Sequence, residues 1–190
     1  MTRRLPSVLA GLAAAGLSVS LAPPRAEAYE RQWHAGLGLG YAAVSSAGVK
    51  SGFGGGLHLT YGLTDAFNLM LEVDLTAHPK RDSFLLVPSA SAGIGYVMDV
   101  LQWVPYIGLM GGAYDIWHQA DPCDTPDPVT NLTVACHAAR FGASVPFGLD
   151  YQVSRSFAVG FGGRYHLLFG GSYPGHYLTL FGRAEILWGY

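Results

Sequence analysis

The sequence predicts an all-β fold: an eight-stranded antiparallel transmembrane β-barrel of the up-and-down type, behind a cleavable signal peptide. Three observations carry this. Residues 29–190 divide into eight segments in which bulky apolar residues alternate with small or polar ones, and a strand sends alternate side chains to opposite faces. The second half of that alternation is mostly glycine and hydroxyl residues, in a chain with 26 glycines, 50% hydrophobic and only 13% charged residues. The connections also sort by parity, short after even-numbered segments and longer after odd-numbered ones, as in barrels with short turns at one membrane face.

The N-terminus reads as a targeting segment. Arg3 and Arg4 form a basic start, Leu5 to Ala22 is apolar, and Ala26-Glu27-Ala28 is an A-x-A cleavage site before Tyr29. The expected domains are therefore a signal peptide over 1–28 and a barrel over 29–190. The mature part carries 8 basic and 12 acidic residues, a formal charge of −4. With no basic stripe, nucleic acid is not an expected partner. Beyond the signal, the longest apolar run, Val100 to Tyr114, is interrupted by Gln102, Pro105 and three glycines, and is short of the ~20 residues of a spanning helix.

The first strand, 32–43, sets Trp33, Ala35, Leu37, Leu39 and Tyr41 against His34 and glycines. After a loop to Ser51, the second, 52–62, sets Phe53, Leu57, Leu59 and Tyr61 against Gly54, Gly56, His58 and Thr60. Residues 63–66 are a turn. The third strand, from Phe67 to Thr76, places Asn68, Met70, Glu72 and Asp74 opposite its leucines. A polar connection, 77–83, contains Pro79. The fourth strand, 84–98, alternates Leu86, Ala90, Ala92, Ile94 and Tyr96 with Ser89, Ser91, Gly93 and Gly95. The fifth, 103–117, is apolar on both faces and gives no phase. Residues 118–139 form the one long connection. The sixth strand, 140–152, opposes Phe141, Val145, Phe147, Leu149 and Tyr151 to Gly142, Ser144, Gly148 and Asp150. The seventh, from Phe157, opposes Phe161 and Tyr165 to Arg164 and His166. The eighth, Leu178 to Tyr190, has Trp188 and Tyr190 ending an apolar row, with Glu185 and Arg183 on the other face.

A soluble barrel with the apolar rows inside is the competing arrangement. Its exterior would consist of glycine, serine, threonine and histidine, whereas soluble surfaces carry about 25–35% charged residues. The glycine-rich face instead suits the narrow lumen of the smallest barrels, with the apolar rows against outer-membrane lipid.

The signal segment, the eight glycine-laced strands, the segments V-P-Y-I-G-L-M-G-G and F-A-V-G-F-G-G-R-Y and the aromatic-ended last strand resemble the OmpA-like/OmpW-like family of small outer-membrane β-barrels. The resemblance covers essentially all of 29–190. It implies the bacterial outer membrane, export by the general secretory route, and a terminal strand read by the barrel-assembly machinery. Where the family usually ends in Phe or Trp, this chain ends in Tyr190. Trp33, Trp188 and Tyr190 would form the aromatic belt and assembly signal.

The candidate lumen charge network is Glu72, Asp74, Arg164, Arg183, Glu185 and His58, with His34 and His166 on the same side of their strands. An ion inside a narrow barrel needs an opposite partner or water, because desolvation costs several kcal/mol. Arg164, Arg183 and Glu185 are expected close together, with Glu72 and Asp74 reaching across. Such a set either packs the interior or lines a narrow path. Cys123 and Cys136, both in the long connection of an exported chain, are expected to form a disulfide; metal binding with His118 and His137 is the alternative, a poor zinc signal without C-x-x-C spacing. No cofactor is implied.

None of the seven histidines is followed two positions on by serine, the H-x-S of barrel deacylases, and no G-x-S-x-G occurs. The expectation is a non-enzymatic barrel, expected as a monomer, with a structural or surface-interaction role and loop 118–139 outside. A narrow pore or carrier for small or apolar solutes is the alternative, and a lipid-modifying barrel enzyme the second alternative.

Overall fold

A computed structural model of the protein describes residues 30–44, 49–80, 83–98, 100–118, 136–170 and 175–189. Eight strands, β1 (Trp33–Val44), β2 (Gly52–Gly62), β3 (Phe67–Lys80), β4 (Ser83–Val97), β5 (Trp103–His118), β6 (Cys136–Ser154), β7 (Phe157–Leu168) and β8 (His176–Trp188), form the structure. Each pairs antiparallel with the next, and β1 pairs with β8 to close the barrel. Closure leaves no edge strand, so no open row of unpaired backbone groups faces the membrane.

The apolar rows face outward. Phe53 is 75% and Phe141 76% exposed, and Leu39, Leu57, Val73, Leu109 and Phe161 share that surface. In a soluble protein this would be an untenable apolar exterior; around a membrane barrel it is the lipid-facing band. At the end where the chain enters and leaves, every strand carries one outward aromatic: Trp33, Tyr61, Phe67, Tyr96, Trp103, Tyr151, Phe157 and Trp188. Neighbours touch ring to ring, with centroids 4.6 Å apart for Trp33 and Tyr61, 5.5 Å for Phe67 and Tyr96, and 4.8 Å for Trp103 and Tyr151. Eight residues further up their strands, Tyr41 and Phe53 meet at 6.3 Å. A rise of ~3.3 Å per residue, tilted ~40°, puts them ~20 Å above the girdle, near the top of an apolar band ~25 Å tall.

The barrel is taller on one side. β3 to β6 have 14, 15, 16 and 19 residues, whereas β1, β2, β7 and β8 have 12, 11, 12 and 13. This corrects the boundaries read from the alternation. β3 continues through Pro79 to Lys80, so only residues 81–82 separate it from β4. The connection after β3 is therefore not one of the longer ones. β6 starts at Cys136 rather than 140, and His137 to Ala139 pair with Asp115 to Trp117. These extensions stand above the lipid band, where outward positions need not be apolar and the alternation fades although the hydrogen-bonded ladder continues.

The interior has layers. At the outer end Val49, Leu85, Val87, Tyr114, Ile116, Leu168 and Tyr177 pack together, and at the girdle end Met70, Val97, Val104, Tyr106 and Met110 do the same. This settles the phase of β5: Val104, Tyr106, Met110, Tyr114 and Ile116 point inward, Trp103, Ile107, Leu109 and Trp117 outward. β5 lacked an alternation because it supplies the apolar packing of the lumen as well as a lipid face.

Candidate functional site

The polar layer between the two apolar clusters rests on glycine. In the register, Gly160 and Gly38 flank Arg183, Gly36 lies between Glu185 and His58, and Gly56 faces Asp74. A methyl group at Gly36 would run into the Ala184 carbonyl oxygen and the His58 ring, and one at Gly56 into the Asp74 carboxylate. Arg183, Glu185 and Asp74 thus each lie beside a neighbour that has no side chain.

The structure divides the six candidate residues into two networks. Arg164, 1% exposed, leaves β7 and crosses the lumen to β3, where it pairs with Glu72 and with Asp74 at 2.6 Å. Arg183 on β8 pairs with Glu185 on its own strand and lies 3.4 Å from Asp150 on β6. Glu185 is also 2.7 Å from His58 Nε2 and 3.3 Å from His34 Nδ1. The second network therefore joins β1, β2, β6 and β8 around one carboxylate. The Arg183 guanidinium lies 4.7 Å from the centre of the Tyr106 ring, within cation–π range. Arg164 does not join Arg183 and Glu185 in one cluster; it belongs with the carboxylates across the barrel.

A third polar layer lies above Arg164. His166 stacks on Tyr177 at 4.1 Å, its Nδ1 is 3.2 Å from the Tyr114 hydroxyl, and its Nε2 is 3.3 Å from Thr179 Oγ1. Among the described residues, two cavities in the lumen flank these networks. One is lined by His58, Asp74 and Thr76 and the other by Asn68, Asp150 and Glu185, and each is about 20 Å³, the space of about one water. No group of three or more His, Cys, Asp or Glu among the described residues is placed to hold a metal.

Asp150 is the network member that sequence reading left out of the site. Its signal was present, since it lies on the lumen row of the sixth strand, but no spacing tied it to Arg183 two strands away. Trp33 and Trp188 are register partners at the girdle. Cys123, Tyr190, residues 1–28 and most of the long connection lie outside the described residues; Cys136 starts β6.

A closed barrel of eight antiparallel strands, with an apolar exterior, an aromatic girdle and a packed polar lumen, defines a small outer-membrane β-barrel. The chain belongs to the family described as "Outer membrane protein beta-barrel domain", whose model matches residues 11–180. No curated protein matches it in sequence. Solved structures similar to it include Neisserial surface protein A, with a TM-score of 0.64 and 15% identity over 82% of this chain and 95% of that one. Ail, the attachment invasion locus protein of Yersinia pestis, has a TM-score of 0.58 and 13% identity over 84% and 99%. OprG from Pseudomonas aeruginosa has a TM-score of 0.58 and 13% identity over 85% and 97%. At these identities the likeness is one of fold. The family places the chain in the bacterial outer membrane.

Proposed function

We propose that this protein is a non-enzymatic outer-membrane barrel that acts through its outer surface rather than through its lumen. The observation that carries this is the filled interior: two arginine-centred networks span the lumen between apolar clusters, leaving cavities of about 20 Å³. Eight-stranded barrels have room only for side chains or one small ligand, and here side chains take it. The raised β3–β6 wall offers the surface for such a role. Ail, a barrel of similar fold, has been crystallised with the heparin analogue sucrose octasulfate, an example of ligand binding by such a barrel.

The same reading has residues 1–28 removed on export by the general secretory route and the terminal strand delivered to the barrel-assembly machinery. It also ties the long connection with a Cys123–Cys136 disulfide and expects a monomer. Planar-bilayer recording of the purified protein tests the central point. The expected result is no discrete conductance steps at any voltage; reproducible steps abolished by a lumen substitution would establish the narrow-pore alternative.

A further inference from the structure

On the outer face of the raised wall, three side chains form a cluster that the barrel itself does not require. Asp115 on β5 accepts a hydrogen bond from Trp117 Nε1 at 2.5 Å, and the same Oδ2 lies 3.4 Å from His137 Nδ1 on β6. The Trp117 and His137 rings meet edge to face at 5.0 Å. Trp117 is 38% exposed and the His137 side chain 54%. Leu86 is the register partner of Trp117 on the other side, and Ala139 stands opposite Asp115.

The height of this cluster can be worked out. Trp117 is fourteen residues above the girdle residue Trp103, and His137 fourteen above Tyr151. At ~3.3 Å per residue and ~40° of tilt, they stand ~35 Å above the girdle, about 10 Å beyond the ~25 Å apolar band. An indole and an imidazole there are not lipid-facing belt residues. They stand at the level of the polar head groups, which in the outer leaflet of this membrane are the sugars of its glycolipid.

We propose that Trp117, His137 and Asp115 form a saccharide-binding site for the head group of the outer-membrane glycolipid around the barrel. An indole face is an apolar platform for the C–H face of a pyranose, with a polar edge beside it. Asp115 is the positioning residue. It takes up the indole N–H and, with the proton on Nδ1, orients the imidazole so that Nε2 accepts from a sugar hydroxyl. On the β6 side His137 flanks the indole as its register partner, and the low Ala139 stands beside Asp115. This deepens the surface role proposed above by naming a partner, and rests on that role.

The test uses the protein extracted from outer membranes in mild detergent, with binding measured by native mass spectrometry and titration. The probes are the complete glycolipid, the same lipid stripped of its core sugars, and the free core oligosaccharide. Wild type should bind the complete glycolipid more tightly than the stripped lipid. Trp117→Ala should lower affinity for the complete glycolipid ~5–10-fold without changing that for the stripped lipid. Trp117→Phe, which keeps a ring, should retain most of the preference, and Asp115→Asn should fall between. Heat-modifiable gel migration confirms that each variant is folded. Equal binding of the two lipids by wild type, or an unchanged affinity in Trp117→Ala, would overturn the proposal. Tighter binding of the free oligosaccharide than of the complete glycolipid would overturn the membrane source. A silent bilayer with no effect at Trp117 sinks this inference alone; channel activity with an intact Trp117 effect sinks the closed-lumen reading alone.

Discussion

Arg164→Met is the substitution that bears most directly on the interior. Methionine keeps much of the aliphatic stem but removes the charge that faces two carboxylates. Glu72 and Asp74 would remain on one face of β3, two residues apart, with little solvent. Breaking a buried pair by removing one partner costs about 3–5 kcal/mol, or roughly two to three and a half decades in the folded-to-unfolded ratio. The assay is urea unfolding in phospholipid vesicles, followed by tryptophan emission and by heat-modifiable migration. The triple variant Glu72→Gln, Asp74→Asn, Arg164→Met removes all three charges together and should recover at least half of the loss. Full stability in Arg164→Met would refute the reasoning. So would a triple variant no more stable than the single one, since the defect would then be packing rather than uncompensated charge.

Five further outcomes are expected. Val73→Arg places a cation in the middle of an outward row and should cost about 2–4 kcal/mol in vesicle unfolding; a soluble barrel would tolerate it. Gly36→Ala forces a methyl onto the Ala184 carbonyl and the His58 ring and should lower stability by about 1–3 kcal/mol. Gly182→Ala, where an added Cβ meets nothing within 4 Å, should be neutral in the same assay. Met110→Ala empties part of the lower apolar cluster, where Met110 is 1% exposed, and should cost about 2–5 kcal/mol. Intact mass of the protein recovered from outer membranes should correspond to a chain starting at Tyr29 with no free thiol; a labelled Cys123 would remove the disulfide from the reading.

The barrel was legible because one property, outward apolarity, repeats every second residue wherever a strand crosses lipid. Legibility failed where that property stops being required. Ala77 to Lys80 is strand by hydrogen bonding, with Pro79 opposite Phe84, yet its outward positions, Ala77 and Pro79, are small or cyclic rather than bulky and apolar, while the buried His78 faces the lumen. β5 failed for the opposite reason, since Tyr106, Met110 and Tyr114 fill the lumen while Ile107 and Leu109 face lipid. The site was visible as a row of lumen-facing charges, but pairing was not. Which carboxylates Arg164 reaches depends on a crossing from β7 to β3 that no local spacing encodes. Asp150 meets Arg183 only because Gly160 stands between them in the register. The Asp115, Trp117 and His137 cluster needed both corrections at once: the phase of β5 and the early start of β6.

The complete ring of aromatics at one mouth, against a sparser set at the other, fixes how the molecule sits. Eight anchors seated at the inner water boundary hold its vertical position from below. When it meets a thicker or thinner bilayer, the mismatch is taken up at the opposite boundary, by wetting or submerging residues such as Tyr41 and Phe53. Immersion of the molecule is therefore constant on the cell-interior side and adjustable on the environment side.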